Sequence, residues 1–217
     1  MIGKGKSISH GVAALEYDLA KEIDGQAAAT EIARHELYGC TGAEMVQEMK
    51  PYFTDFPNVK NNCLRFEVSP SIEESSSFTD ADWAELGNDF MQRMGLMNHQ
   101  YIIIKHSGTE SKKEQAHLHI LANRISLSGE LYRDNWIGKR ATEAANAIAK
   151  ERNFVQSQDI GKANKEEIKE VMNSVLKKMQ GFDLTKFQEE LGKLGFKVRE
   201  ARASTGKLNG YYVTARS

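Results

Sequence analysis

The stretch Ala116-His117-Leu118-His119-Ile120-Leu121-Ala122-Asn123-Arg124 sets two imidazoles two residues apart in an otherwise apolar, strand-like run. Residues i and i+2 of a strand share a face, so His117 and His119 are expected to point the same way. Burying two imidazoles side by side on an apolar sheet gains little, whereas a metal ion gives each nitrogen lone pair a partner. The β-branched run Tyr101-Ile102-Ile103-Ile104-Lys105-His106 predicts a second strand that ends on another histidine. If the two strands pair antiparallel with His106 opposite His117, three imidazoles meet on one face and leave positions for water or a phosphate oxygen. A metal so held would polarise a phosphoryl group and hold it for in-line attack. Residues 107–115 would then be the connection, long for a hairpin and a candidate functional loop.

The elements that must position these residues follow from periodicity and turn chemistry. A helix is predicted over 9–23, capped by Ser9, with Val12, Leu15, Leu19 and Ile23 on one stripe and Tyr17 nearly opposite. Tyr17 is therefore off the main apolar face, as an ordinary exposed tyrosine or as a phenol facing a cleft. Residues 27–36 and 43–49 read as helices, and 62–68 as a strand with Leu64, Phe66 and Val68 on one face and Cys63, Arg65 and Glu67 on the other. Thr79 and the acidic residues after it open a helix that runs to about Met94, and Gly95 stops it. After Arg124 come a strand-turn over 126–132, an alanine-rich helix from about 140 to 151, and a helix over 165–180. Asp183 then caps a helix with Leu184, Phe187, Leu191 and Leu194 at helical spacing, and a hairpin of 196–202 with 211–215 follows. The expected fold is α/β, a central antiparallel sheet carrying the histidines, flanked by helices packed mostly on one face. The sequence stops directly after the last strand, so truncation from a longer protein is expected.

Composition narrows the class. The 217 residues suit one sizeable domain, 1–217, with a basic helical part from about 139. No run approaches the roughly 18 to 20 apolar residues of a membrane span, and no signal-peptide core is present, so no membrane insertion and a cytoplasmic location are expected. Cys40 and Cys63 stand alone, without the spacing of a zinc cluster, and read as buried or idle thiols. The net charge of −1 conceals an asymmetry: residues 1–138 carry 13 Lys+Arg and 20 Asp+Glu, while 139–217 carry 16 and 10. A nucleic-acid-facing side and a merely solvated helical face both accommodate that split.

In this order the motifs resemble the relaxase, or mobilization nuclease, family of the histidine-hydrophobe-histidine endonuclease superfamily. Met1-Ile2-Gly3-Lys4-Gly5-Lys6-Ser7 followed by a helix carrying Tyr17 is similar to the family's first motif. His106, His117-Leu118-His119 and Asn123-Arg124 resemble its metal-binding motif, and the segment from Phe187 to Tyr212 resembles the tail of its catalytic domain. The chain departs from the pattern at Gly108, where the family often has an aspartate, and in its longer link from His106 to His117.

The resemblance implies Tyr17 as nucleophile, His106, His117 and His119 as ligands of a divalent ion (Mn²⁺ or Mg²⁺ foremost, Zn²⁺ or Ni²⁺ as others), and Glu67 as a carboxylate assisting the tyrosine or the metal. Lys4, Lys6 and Asn123 become candidate DNA contacts. The implied activity is site- and strand-specific nicking at a transfer origin, initiating mobilization of a plasmid or mobile element. Attack by Tyr17 would leave a 5′-phosphotyrosyl link and a free 3′-hydroxyl. The implied partners are single-stranded DNA and accessory DNA-binding and coupling proteins. The alternatives are a replication-initiator nuclease of the same superfamily, a non-catalytic DNA-binding mobilization protein and a metallohydrolase unrelated to DNA. His10, His35 and His99 have no companion pattern and are expected to be structural or surface residues.

Overall fold

The computed structural model describes residues 1–108 and 115–215, so most of the candidate loop after His106 lies outside the described residues. In chain order the elements are β1 (Ile2–Ile8), α1 (Gly11–Leu19), β2 (Glu22–Ile23), β3 (Gln26–Ala27), β4 (Ala29–His35), α2 (Gly42–Met49) and a 3-10 turn at Lys50–Phe53. These are followed by β5 (Cys63–Ser69), α3 (Ile72–Ser75), α4 (Asp80–Met94), β6 (His99–His106), β7 (His117–Ser126) and α5 (Ile137–Glu151). The last elements are α6 (Ser157–Lys178), α7 (Leu184–Lys193), β8 (Phe196–Arg202) and β9 (Leu208–Ala215). The chain divides into two compact units, Met1–Ser157 and Gln158–Ser217.

The first unit is built on a five-stranded sheet in the order β1-β5-β7-β6-β4, each neighbouring pair antiparallel. Alternation along the strands sorts their side chains to two faces. Leu64, Phe66, Val68, Tyr101, Ile103, Leu118 and Ile120 pack with Trp83, Leu86 and Phe90 of α4 and Ala141, Ala145 and Ile148 of α5. On the other face Cys63, Ile102, Ile104 and Leu121 pack with Ala14 and Leu15 of α1 and Met45, Val46 and Met49 of α2. Helices thus cover both faces rather than mostly one. Burying a side chain the size of Leu or Phe stabilises by about 1.5–3 kcal/mol, so both layers are needed to hold the sheet.

Local expectations differ as well, among them the helix expected over 165–180, which begins earlier, at Ser157. The helix expected over 9–23 is shorter, because Ile8 belongs to β1 and the N-cap is His10, with no side-chain cap from Ser9. Its buried stripe is Gly11, Ala14, Leu15 and Asp18, rotated from the expected one, and Val12 is exposed. Gly11 explains the rotation: a Cβ there would stand 2.6 Å from Cys63 Sγ, so a small residue lets α1 sit close on β5. The helix expected over 27–36 is instead strand β4, paired with β6 from Ala29↔His106 to His35↔Tyr101. Asp24 and Gly25 both have positive φ, 53° and 74°, and close the small hairpin of β2 and β3 ahead of that strand. That is the type I′ geometry an Asp-Gly pair favours, and pairing with β6 overrides the helix preference of the alanines.

In the second unit Val175 of α6 and Phe187 and Leu191 of α7 form a small core with Phe196 of β8, joined by half-buried Val198 and Val213. Asp183 caps α7 by accepting from the Lys186 amide at 3.0 Å, as expected.

Candidate metal centre

Register brings the histidines together. In the β6–β7 ladder His106 lies directly opposite His117, and Ile104 opposite His119, so all three imidazoles project from the face that carries α1. Their ring centroids stand 4.4–5.3 Å apart, and one nitrogen from each ring lies within 4.8 Å of the others. His106 and His117 are buried.

The remaining nitrogens are anchored. His106 Nε2 donates to the Asp18 carbonyl at 2.8 Å, and His117 Nδ1 donates to the Gln115 carbonyl at 3.1 Å. His119 Nδ1 lies 3.3 Å from Arg65 Nη2 and 3.7 Å from Asp18 Oδ1. Nδ1 of His106 and Nε2 of His117 and His119 are left for a shared ligand. The two Nε2 atoms stand 3.1 Å apart, too close for both to carry a proton, so a lone pair already faces the neighbouring ring. Burial favours the neutral form of two of the rings: it lowers His106 below the ordinary histidine value, and it lowers His119 to about 2, reinforced by His106, His117, Arg65 and Lys4. Three converging, oriented imidazoles could hold a divalent ion, and their outer hydrogen bonds are of the kind that fix ligand tautomers.

Asp18 and Arg65 were not singled out by sequence reading. Arg65 donates to Asp18 through two nitrogens, Nη2 to Oδ1 at 2.5 Å and Nε to Oδ2 at 3.2 Å. The Asp18 side chain is almost fully buried; burial pushes its carboxyl up and Arg65 pulls it back down. Its one trace in the sequence is the spacing from Leu15, three residues earlier on the buried stripe of α1, which does not by itself tell it from a solvent-facing acid. Through its carbonyl and carboxylate this residue joins the end of α1 to both His106 and His119.

The other candidates are placed as follows. Tyr17 precedes Asp18 and is 59% exposed, with Lys21 Nζ 5.7 Å from its ring centroid. Glu67 is directly across from His119 in the β5–β7 ladder and accepts from Lys4 Nζ at 2.8 Å. Lys4 and Lys6 of β1 lie across from Glu67 and Arg65 and are exposed. Together Lys4, Lys6, Arg65, Glu67 and His119 line a cavity of 210 Å³. Asn123 is the exception. It shares the histidine face, but it is fully buried: Nδ2 donates to Gln100 Oε1 at 2.9 Å and Oδ1 accepts from the Ile125 amide at 2.9 Å. Its amide is spent inside the core, which removes it from the set of DNA contacts. His99, with Nδ1 donating to the Asn123 carbonyl at 2.9 Å, is likewise structural. A larger cleft of 750 Å³ lies at the other end of α1, against Gly11, Val46 and Phe53, and includes none of the candidate residues.

Residues 17–154 match the family model of relaxases described as MobA/VirD2-like, nuclease domain. The solved structures similar to the chain include the following two. One is the conjugative relaxase TrwC in complex with oriT DNA in a metal-bound structure, at 12% identity and a TM-score of 0.40, covering 95% of this chain and 74% of that one. The other is TrwC with oriT DNA in a copper-bound structure, at 12% identity and a TM-score of 0.36, covering 95% and 75%. No curated protein matches the chain by sequence.

Proposed function

Because this chain belongs to the MobA/VirD2-like relaxase nuclease family, we propose that it nicks one DNA strand at a transfer origin by transesterification onto Tyr17, initiating mobilization of a plasmid or mobile element. The observation that carries the reading is the juxtaposition at the end of α1. Asp18, the residue after Tyr17, accepts a hydrogen bond from His106 and faces His119, so helix and histidines form one assembly.

The chemistry is a displacement at phosphorus. Tyr17 Oη forms a bond to the phosphorus, the bond to the 3′ oxygen breaks, and the strand is left with a 3′-hydroxyl and a 5′ phosphate on the protein. The phenol proton must leave and a proton must reach the 3′ oxygen; Glu67, oriented by Lys4, is the candidate carrier for both. A divalent ion held by His106, His117 and His119 would supply neutralisation of the charge that develops on the phosphate. Lys4, Lys6 and Arg65 add positive potential beside His119, where a backbone phosphate would sit. Phosphate energy is conserved in the tyrosyl ester, so the strand can be rejoined. Accessory DNA-binding and coupling proteins belong to this reading as partners.

A labelled single-stranded origin oligonucleotide with Mn²⁺ or Mg²⁺ should yield a nicked strand whose downstream fragment migrates with denatured protein. His117→Ala or His119→Ala should abolish the product and the bound metal while circular dichroism stays unchanged. Nicking without any protein-linked fragment would point to water as nucleophile and remove the proposal.

A further inference from the structure

The second unit carries a surface that the nicking chemistry does not use. In the β8–β9 hairpin, Phe196, Val198 and Val213 turn inward to the core of α6 and α7. The alternate residues therefore point outward, and the register sets Lys197 across from Thr214 and Arg199 across from Tyr212. All four are exposed, Tyr212 by 63%, and the next pair along, Ala201 and Gly210, puts no bulky side chain beside the ring.

What distinguishes this face is an exposed ring set among cations. Lys162, Lys169 and Lys193 each pair with a neighbouring carboxylate on their own helix, and Arg202 pairs with Glu200. Among the described residues Lys197 and Arg199 have no ion-pair partner. The hairpin carries Lys197, Arg199, Arg202 and Lys207 against the lone carboxylate of Glu200. An exposed aromatic ring flanked by unpaired cations on one face of a β-ribbon offers a stacking surface and two phosphate contacts at once. A single-stranded nucleic acid presents that combination, whereas a duplex keeps its base faces stacked inside.

We propose that the open face of the β8–β9 hairpin binds single-stranded nucleic acid, with Tyr212 stacking on a base and Lys197 and Arg199 on flanking phosphates. That the natural ligand is the nicked strand rests on the function proposed above; the binding itself does not. The test is anisotropy of a labelled oligothymidylate, which contains no origin sequence, titrated with the full chain over a range of salt. Tyr212→Ala should weaken binding about tenfold, while Tyr212→Phe, which keeps the ring, should bind like wild type. The double variant Lys197→Ala, Arg199→Ala should lower the slope of log affinity against log salt by about 1.4, whereas Lys162→Ala should not. All these positions are exposed, and circular dichroism checks that each variant folds. An unchanged affinity for Tyr212→Ala, an unchanged slope for the double variant, or equal weakening of duplex binding would each overturn the proposal. Failure of protein-linked nicking, with these effects intact, would refute the nuclease reading and leave the hairpin site standing.

Discussion

At the residue scale the centre depends on a buried aspartate, not one of the proposed ligands, whose carbonyl accepts from His106 and whose carboxylate faces His119. A buried carboxylate is tolerable only while paired, and Asp18 has Arg65 on both oxygens. Arg65→Ala would leave that carboxyl against His119 with no guanidinium. Chemical denaturation should then show a loss of about 3 kcal/mol. Isothermal titration with Mn²⁺ should show roughly 10- to 100-fold weaker binding, because the ring orientation of His119 is no longer held. Wild-type metal affinity in this variant would mean that the pair serves packing alone. The three histidines were legible because strand periodicity is rigid; Asp18 was not, because a single acidic residue on an amphipathic helix normally faces water. Asn123 misled in the opposite direction, since strand parity predicts its face but says nothing of α2 and Gln100 closing over it.

At the element scale the close seat of α1 on β5 aims the end of the helix at the histidines. Gly11→Ala would drive a methyl to 2.6 Å from Cys63 Sγ, both buried, so the helix must shift or tilt. Overpacking of this kind costs about 1–3 kcal/mol, and a thermal melt should register it as a lower midpoint with nicking impaired beyond the stability loss. An unchanged midpoint and rate would show that the helix tolerates displacement. Strands β5, β6 and β7 and helix α4 were readable from alternation and from the Thr79 cap, which accepts from the Asp82 amide at 3.3 Å. Strand β4 was not, because its alanines favour a helix and only pairing with β6 makes it a strand. The Asp24-Gly25 turn was the local sign that a strand follows.

At the scale of the molecule, stability should follow pH through the buried histidines. Burial lowers His99, His106 and His119 below the ordinary value near 6.5, so the unfolded chain takes up protons that the folded chain refuses. Stability of the metal-free protein is therefore fully present above about pH 6.5 and declines below it, by up to about 4 kcal/mol per pH unit if all three act together. Asp18, raised from 3.8, contributes with the opposite sign nearer its own range. Urea midpoints measured in chelator should fall between pH 7 and pH 5; constant midpoints would show that these rings titrate freely in the folded state. The two units also divide the work proposed for them, with the histidine centre in Met1–Ser157 and the exposed aromatic ribbon in Gln158–Ser217.

The central claim is that Tyr17 is the nucleophile, and one oxygen atom decides it. Incubation of wild-type protein with cognate single-stranded origin DNA and Mn²⁺, followed by digestion and mass spectrometry, should place a 5′-phosphodeoxynucleotide on the peptide containing Tyr17. Tyr17→Phe deletes only an exposed hydroxyl, so folding and DNA binding should be kept while adduct and nicking disappear. An adduct that persists in Tyr17→Phe and maps to another tyrosine, such as Tyr38, Tyr52 or Tyr212, would contradict the assignment.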